Sequence, residues 1–527
     1  MPTVAKFCEA ELIAQPLRFA GGKVAPNRLS KAPLEETLAK AGGGPPNHAH
    51  FELYRAWARG GWGMIITGNV AIDPTHLGSP FDVVIPNEPK ALAEFKHAMK
   101  TYARAVTGRD QNLPESQRPL GVVQIVHAGR QSMRGSGRGL TAPSLAPSAV
   151  PMQSMGSLGP LGKLIDHAMW GPVSAMTLDQ IEWLKNRFVT AAQIVAEAGF
   201  DGVEIHGSHG YQLAAFLSPR TNLRTDQYGG SAENRARLLM EIIDAVRQKV
   251  PHDFLVGVKL NSSDYVQGGL SEDDALQNVK WLAEHGGVDF VEISGGNYEN
   301  PSFVMSGFDS EKELAKIGGK TSTPATTTAT ADGDAKVQGS GVDPTAKTSA
   351  RTGKREAFFQ NFARRCRSVL PADSRLKLVL TGGLRTRHGI AEAISKDGGA
   401  VDMACLGRPA ALFPDLPRRL TDPNIPDSDP AANTPDYHVP AVSSLALVPI
   451  KLLGAGWGTL WHTFHMAQTA LGSPNPHQST LNLLKNYASA SADQNAFTPK
   501  SSFPFQLLLS LLGGVILLLA LVKQIVP

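Results

Sequence analysis

Short apolar runs alternate with amphipathic segments through most of the first 410 residues of the chain. The runs, which predict strands, are Asn27–Ala32, Gly63–Gly68, Gly121–His127, Gly202–Gly207, Phe254–Leu260, Asp289–Gly295, Lys377–Gly383 and Val401–Gly407. The segments between them, which predict helices, include Leu178–Ala198, Ala232–Val250, Glu272–His285, Arg355–Leu370 and His388–Lys396. Strands that are apolar throughout are typical of parallel sheets covered by helices on both faces. Eight such repeats predict an α/β fold, a (β/α)8 TIM barrel.

The main alternative fold is a doubly wound parallel sheet. That fold places a G-x-G-x-x-G motif directly after a strand, with an acidic residue downstream. None of the eight runs is followed by that motif. The pattern therefore favours the barrel.

Two segments interrupt the barrel pattern. Residues 129–172 are rich in Gly, Pro, Ser and Met and follow the third strand, on the face where long loops form substrate caps. Residues 318–353 form a Thr/Ala/Gly/Asp tract with almost no large apolar residue. Such a tract cannot bury enough surface to offset its chain entropy, so we expect a disordered insertion.

The pattern changes again after about Pro414. We assign residues 17–417 to the barrel, 418–500 to a C-terminal wrap with a helix, and 503–525 to a hydrophobic tail helix. Trp457, Trp461 and Phe464 have helical spacing, which favours packing on the barrel over an interfacial membrane helix. Residues 503–522 are apolar on every side and would form about 30 Å of helix, so they predict a membrane anchor that leaves the barrel in the cytoplasm.

Composition narrows the class of protein. The formal net charge is +4 over 527 residues and no basic block is interleaved with aromatic residues, which argues against nucleic-acid binding. The three cysteines are far apart and form no C-x-x-C motif, which argues against a disulfide framework, a zinc site or an iron–sulfur cluster. The N-terminus lacks the apolar stretch of a secretory signal.

In a TIM barrel the active site lies where the strands end, and these ends carry polar side chains. The fourth strand is followed by His206, His209 and Tyr211, which together can hold a carbonyl oxygen and supply a proton. Other candidates at strand ends are Ala32, Pro33, Glu35, Thr67, Gln124, Lys259 and Ser294. After the last two strands, Gly382, Gly383, Gly407 and Arg408 offer backbone N–H groups and a guanidinium, as a phosphate site requires.

These residues resemble the old yellow enzyme family of FMN-dependent NAD(P)H oxidoreductases. The resemblance covers about residues 17–417, apart from the low-complexity insert. Its most specific part is the sequence Phe216–Ser231, continued by Glu233, Asn234 and Arg235, which looks like the family's signature loop with Ser231 as the N-cap of the next helix.

The resemblance implies FMN as cofactor, NADH or NADPH as co-substrate, and reduction of the C=C bond of α,β-unsaturated carbonyl compounds by ping-pong hydride transfer. It implies that Gln124 binds the flavin pyrimidine edge, and that Gly383, Gly407 and Arg408 bind the phosphate. Lys259 stands where the family usually has arginine, which keeps the positive charge but loses the bidentate fork. His206 and His209 match the pair that grips the substrate carbonyl, and Tyr211 matches the proton donor.

Glu35 departs from the family, which commonly has threonine or cysteine at this position beside the flavin. Two interpretations stay open at this stage. An ionised Glu35 facing the ring would disfavour the anionic reduced flavin and lower its potential. Alternatively, Glu35 turns away into a salt bridge.

Three other functions compete with this prediction. Two histidines three residues apart could bind a metal, but no carboxylate or third histidine falls at a matching place, so we expect no metal. A dienoyl-thioester reductase would need a cysteine cluster and a nucleotide-binding fingerprint, and neither is present. A membrane-anchored NAD(P)H oxidase, which passes electrons to oxygen or a partner without a specific enone substrate, remains the main alternative.

Overall fold

The computed structural model describes residues 8–300, 317, 360–395, 399–437, 439 and 451–472. Eight parallel strands form the barrel of its central sheet, and a ninth short strand, Val83–Val84, pairs with the second of them. The eight are β1 Leu29–Lys31, β2 Met64–Ala71, β3 Leu120–Val126, β4 Gly202–Gly207, β5 Leu255–Asn261, β6 Phe290–Ser294, β7 Lys377–Thr381 and β8 Met403–Leu406. Each strand pairs with the next along the chain, and β8 pairs with β1. The sheet is thus closed, and the predicted (β/α)8 barrel is confirmed.

Helices cover the outside of the barrel. Those within the described residues include His48–Arg59, Pro89–Val106, Leu178–Ala198, Ala232–Arg247, Glu272–His285, residues 360–369, Arg387–Ile394, Arg408–Leu412 and Leu416–Leu420. Capping side chains fix where several of them begin: Thr177, Ser231 and Ser271 each accept a hydrogen bond from the backbone N–H three residues later. The predicted N-cap role of Ser231 is therefore confirmed.

The amino-terminal end of the barrel is closed by a small antiparallel hairpin, Leu17–Arg18 with Val24–Ala25. The hairpin inserts Phe19 into an apolar layer, where its ring meets the edge of Phe290 with the ring centres 6.3 Å apart. Apolar side chains thus close this end of the barrel. The polar residues at the carboxyl ends of the strands lie at the opposite face.

The segment between β3 and the helix Leu178–Ala198 has structure of its own. It contains the helix Gly159–Trp170 and two short paired strands, Ser144–Ala146 and Val173–Ala175. It contacts loops at the carboxyl end of the barrel: Leu145 donates its backbone N–H to His76 after β2 (2.9 Å), and Gln153 donates its own to Glu299 after β6 (2.9 Å). The predicted cap loop therefore lies at the carboxyl-terminal face.

Beyond the barrel, the helix Lys451–Ala470 buries Trp461 and Phe464 against Leu412. This contact confirms that Trp461 and Phe464 pack on the barrel, whereas the side chain of Trp457 is not among those that the structure describes. The predicted insertion 318–353 and the predicted tail helix 503–525 lie outside the described residues. Within the part of the chain that the structure describes, no helix combines the length and apolar character needed to cross a membrane.

Candidate active site

The interior of the barrel near the carboxyl ends of its strands is polar. The Gln124 amide on β3 donates to Glu204 on β4 (Nε2 to Oε1, 2.6 Å). The Lys259 ammonium on β5 donates to Glu292 on β6 (Nζ to Oε1, 2.6 Å), and the Thr381 hydroxyl on β7 donates to the same carboxylate. Five consecutive strands thus contribute one polar side chain each to a continuous network.

The charges in this network follow from burial and pairing. Burial opposes the charge on Lys259, but Glu292 and Glu204 outweigh it and raise the pKa of the ammonium. Burial likewise opposes the charge on Glu292, but Lys259 next to it lowers the pKa of that carboxyl. Burial together with repulsion from Glu292 raises the pKa of Glu204, and the Lys259 charge opposes that rise. Lys259 and Glu292 form a buried ion pair, and burial favours the protonated form of Glu204.

The turn after β4 holds His209 in a strained backbone conformation. His209 has φ of +60°, a left-handed backbone that is uncommon for a residue with a side chain. Asn261 at the end of β5 stabilises it by accepting the Ser208 hydroxyl (2.6 Å) and the His209 backbone N–H (3.0 Å). The Gln131 amide donates to the carbonyl of His209 (2.8 Å). Backbone strain that several neighbours support is typical of a functional site.

Hydrogen bonds define how the two imidazoles are protonated. Ser208 donates its backbone N–H to Nδ1 of His206 (3.2 Å), so Nε2 of His206 carries the hydrogen. Nε2 of His209 lies 2.8 Å from the hydroxyl oxygen of Ser294. Burial and the nearby Lys259 charge lower both pKa values well below the ordinary histidine range. Both imidazoles are therefore neutral at pH 7. They meet edge to face, with the ring centres 5.1 Å apart.

Tyr211 completes the predicted trio. Its ring packs edge-on to His206, with the ring centres 4.8 Å apart. Its hydroxyl lies 2.7 Å from Oε1 of Glu35 and 2.8 Å from the hydroxyl of Tyr298. His206, His209 and Tyr211 thus meet at one place, as the sequence predicted.

The geometry of Glu35 differs from both interpretations drawn from the sequence. Its Oε1 accepts from Tyr211 and from the side-chain amide of Asn69 (2.7 Å), and no ion pair to Glu35 occurs among the described residues. Burial raises its pKa, and the neighbouring Glu36 adds to the rise, while hydrogen bonds from Tyr211 and Asn69 oppose it. Burial therefore favours the protonated form of Glu35 over the ionised form that we considered.

The glycines after β7 and β8 lie where a phosphate site was predicted. Gly382 and Gly383 directly follow β7, and both have positive φ, +95° and +87°. Gly407 ends β8 and is the N-cap residue of the helix that begins with Arg408. Arg408 is half-buried, which lowers the pKa of its guanidinium; Tyr437 opposes this and the positive charge of Arg385 adds to it. Two guanidinium groups whose charges repel each other favour an anion beside them.

The remaining predicted residues lie at the ends of β1 and β2. Ala32 donates its backbone N–H to Leu406 (2.9 Å), and Pro33 follows it. Thr67 lies at an irregularity in β2, where its Oγ1 accepts the backbone N–H of Gln124 (3.3 Å). The prediction placed the end of β2 near Thr67, but the strand continues to Ala71 because this irregularity lets pairing with β3 resume.

A second buried histidine pair lies close to the cap. His76 Nδ1 is 2.7 Å and His127 Nε2 is 3.4 Å from the same carboxylate oxygen of Asp73. These three groups have the spacing of a metal site. However, Leu145 donates its backbone N–H to Nε2 of His76 (2.9 Å), and Gly129 donates its own to Nδ1 of His127 (3.1 Å). Because the lone pair of each ring is already used, the arrangement fits a structural clip in which both N–H groups face Asp73.

Comparisons with known proteins identify the family of this chain. Residues 13–300 match the model of the NADH:flavin oxidoreductase / NADH oxidase family. The chain belongs to that family. It is thus an FMN-dependent oxidoreductase of the old yellow enzyme type, with NADH or NADPH as co-substrate, which confirms the predicted enzyme class and cofactor.

Two curated relatives are fungal proteins named NADH-dependent flavin oxidoreductase iliE. The one from Hypocrea jecorina is 34% identical over 435 residues, which cover 82% of this chain and 94% of the relative. The one from Neonectria sp. is 36% identical over 407 residues, 77% of this chain, but the chain spans only 46% of that longer protein. Among solved structures, the old yellow enzyme homologue from Zymomonas mobilis superposes with a TM-score of 0.55 at 24% sequence identity. The match covers 77% of this chain and 92% of the homologue, and it shows that the two proteins share a fold.

Several residues of the site escaped the sequence analysis. They are Asn69, Glu204, Asn261, Glu292, Tyr298 and Arg385. A signal existed for two of them: Glu204 and Glu292 are acids inside apolar strands, two residues before His206 and Ser294, so they share the inward face of the barrel. The others lie in loops or ends of strands, where no periodicity applies.

Proposed function

We propose that this protein reduces the C=C bond of α,β-unsaturated carbonyl compounds in two half-reactions, with hydride passing from NAD(P)H through FMN to the substrate. The observation that supports it is the meeting of His206, His209 and Tyr211 beside the Gln124 and Lys259 end of the barrel. Two neutral imidazoles and a phenol suit a carbonyl oxygen and the carbon next to it.

The residues present fit FMN. Positive-φ glycines and the two guanidinium groups of Arg385 and Arg408 suit its phosphate. Gln124 can pair with the edge of the pyrimidine ring, which mixes donors and acceptors. Lys259 gives one of its three N–H donors to Glu292 and keeps others for the ring. When bound, FMN supplies the hydride that NAD(P)H delivers.

The histidines would bind the substrate through hydrogen bonds. The Nε2–H of His206 is a donor because Nδ1 accepts from Ser208. Since negative charge develops on the carbonyl oxygen as hydride arrives at the β-carbon, such donors bind the transition state more tightly than the ground state. Neutral rings can do this throughout the neutral pH range. Tyr211 then gives its proton to the α-carbon.

The choice of electron donor and location is also part of the proposal. Both fungal relatives are named as NADH-dependent, so NADH is the first donor to test. We propose attachment to a membrane through residues 503–525 with the barrel in the cytoplasm, supported by the apolar sequence of that tail alone.

The first prediction concerns Tyr211→Phe. The variant keeps the ring that packs on His206 but loses the acidic hydrogen. We expect NADH to reduce its flavin at the wild-type rate, while reoxidation by 2-cyclohexenone slows by about 10²- to 10⁴-fold, the usual contribution of a general acid. Anaerobic stopped-flow absorbance of the flavin separates the two half-reactions.

The same measurement with oxygen as acceptor is the control. Oxygen needs no proton at a substrate carbon, so Tyr211→Phe should be reoxidised by oxygen as fast as the wild type. If the wild-type protein reacts with oxygen but with no enone, the oxidase alternative is correct and the enone reductase is not.

A further inference from the structure

The hydroxyl of Tyr211 has two polar neighbours that limit where its hydrogen can point. They are Glu35, at 2.7 Å, and the hydroxyl of Tyr298, at 2.8 Å. A phenol has one hydrogen and two lone pairs. If the Tyr211 hydrogen is to point at a substrate carbon, the oxygen must therefore accept from both neighbours.

This requirement restricts the protonation of Glu35. Tyr298 can donate, but an ionised carboxylate only accepts and would turn the Tyr211 hydrogen away from the substrate. In the structure the Tyr211 hydroxyl donates to Oε1 of Glu35, but a protonated carboxyl can instead donate to the Tyr211 oxygen across the same 2.7 Å. The geometry is therefore productive only when Glu35 carries a proton.

The surroundings of Glu35 favour that proton. Burial is the largest cause of its raised pKa, and Glu36 in the same loop adds repulsion. Asp82, in the loop after β2, is buried as well, and burial and repulsion from Glu35 raise its pKa. The other titratable neighbours are Tyr211 and Tyr298, and burial raises the pKa of both. No ion pair to Glu35 or Asp82 occurs among the described residues, and the Lys31 ammonium acts on Glu36 instead.

We propose that Glu35 is a proton relay: it points the Tyr211 hydrogen at the substrate and replaces the proton that Tyr211 gives away. The Tyr211 O–H bond breaks as a C–H bond forms at the α-carbon of the substrate. The Glu35 O–H bond breaks at the same time, and its proton restores the Tyr211 hydroxyl. Glu35 is left as a carboxylate, which regains a proton from water before the next turnover. This relay rests on the proposed function.

The test uses the FMN-loaded protein, reduced anaerobically with NADH and mixed with 2-cyclohexenone across a range of pH. In the wild type we expect the reoxidation rate to fall by about tenfold per pH unit above the pKa of Glu35. Glu35→Gln keeps a donor for the Tyr211 oxygen but cannot titrate. It should therefore react more slowly at low pH, show no alkaline decline, and overtake the wild type at high pH.

Tyr298→Phe is the matched control, because Tyr298 also contacts the Tyr211 hydroxyl but cannot release a proton near neutral pH. That variant should react more slowly but keep the alkaline decline of the wild type. Infrared difference spectra of wild type against Glu35→Gln give a second readout without substrate. A protonated carboxyl band should be present at pH 7 and disappear with the midpoint of the kinetic decline.

The possible outcomes distinguish a failure of the Glu35 relay from a failure of the proposed enone reduction. If the wild type reduces the enone but Glu35→Gln keeps the alkaline decline, or if the infrared band is missing at pH 7, the relay is wrong and the proposed function stands. If the wild type does not reduce the enone at all, both fail together.

Discussion

Two buried histidine pairs lie at the carboxyl end of this barrel, and they differ in what their N–H groups face. The clip histidines, His76 and His127, stack with ring centres 4.5 Å apart and aim both N–H groups at Asp73. The site histidines, His206 and His209, meet edge to face, and His206 has no carboxylate partner among the described residues. The same residue type thus has two uses: the clip histidines lie against a carboxylate and stabilise loops, whereas the Nε2–H of His206 can bind a ligand.

The largest expected effect is on the clip. Asp73→Ala removes the acceptor of the His76 ring, of the Thr75 hydroxyl (2.6 Å) and of the Thr75 backbone N–H (3.0 Å), together with the carboxylate that lies 3.4 Å from Nε2 of His127. Removing the charged partner of a buried network leaves its donors unpaired, so we expect a loss of about 3–5 kcal/mol in the free energy of unfolding. Equilibrium denaturation in urea measures it.

Ser294→Ala is the matched change at the site. Among the described residues it removes one side-chain hydrogen bond, between the Ser294 hydroxyl and Nε2 of His209, and should cost only about 1 kcal/mol. A smaller loss for Asp73→Ala than for Ser294→Ala would show that the clip does not stabilise the fold in this way.

The sequence predicted the barrel elements and the site histidines, but it did not predict the clip. The strand β4 and the helices Leu178–Ala198 and Glu272–His285 begin and end as predicted, because apolar periodicity and capping residues are local signals. His206 and His209 were found because strand ends carry function in this fold. The clip was missed because Asp73 and His127 belong to different strand ends and meet only in the closed barrel.

Glu35 illustrates the same limit at the candidate site. Its position after β1 was predicted, but its partner Tyr211 is 176 residues away along the chain. Whether such a carboxyl is ionised depends on burial and on neighbours from three loops, which no local pattern encodes. The sequence could therefore name the residue but not its protonation.

The second prediction concerns ligand binding, which should involve the site histidines and not the clip histidines. Phenols in their ionised form are suitable probes, since an anionic oxygen should accept from the site histidines. His206→Asn should weaken the binding of such a phenol to the FMN-loaded protein by about 10- to 100-fold, the value of one hydrogen bond to a charged group. Titration followed by the long-wavelength absorbance of the complex measures the affinity.

His76→Asn is the control for that titration, and its phenol affinity should remain within about twofold of the wild type because His76 faces Asp73 rather than the site. Equal weakening in both variants would mean that the two pairs are not functionally distinct.

The smallest effect is a pH dependence of stability that arises from the clip. Burial, followed by repulsion from His127, lowers the pKa of His76 to about 4, whereas the unfolded chain has an ordinary histidine near 6.5. Between these values the unfolded state binds more protons, so the contribution of His76 to stability is present above about pH 6.5 and is lost as pH falls toward 4. Between pH 7 and pH 5.5 the loss should be about 1 kcal/mol. Urea denaturation of wild type and His76→Asn at both pH values tests this, and an identical pH dependence in the two proteins would show that His76 accepts a proton as readily in the folded clip as in the unfolded chain.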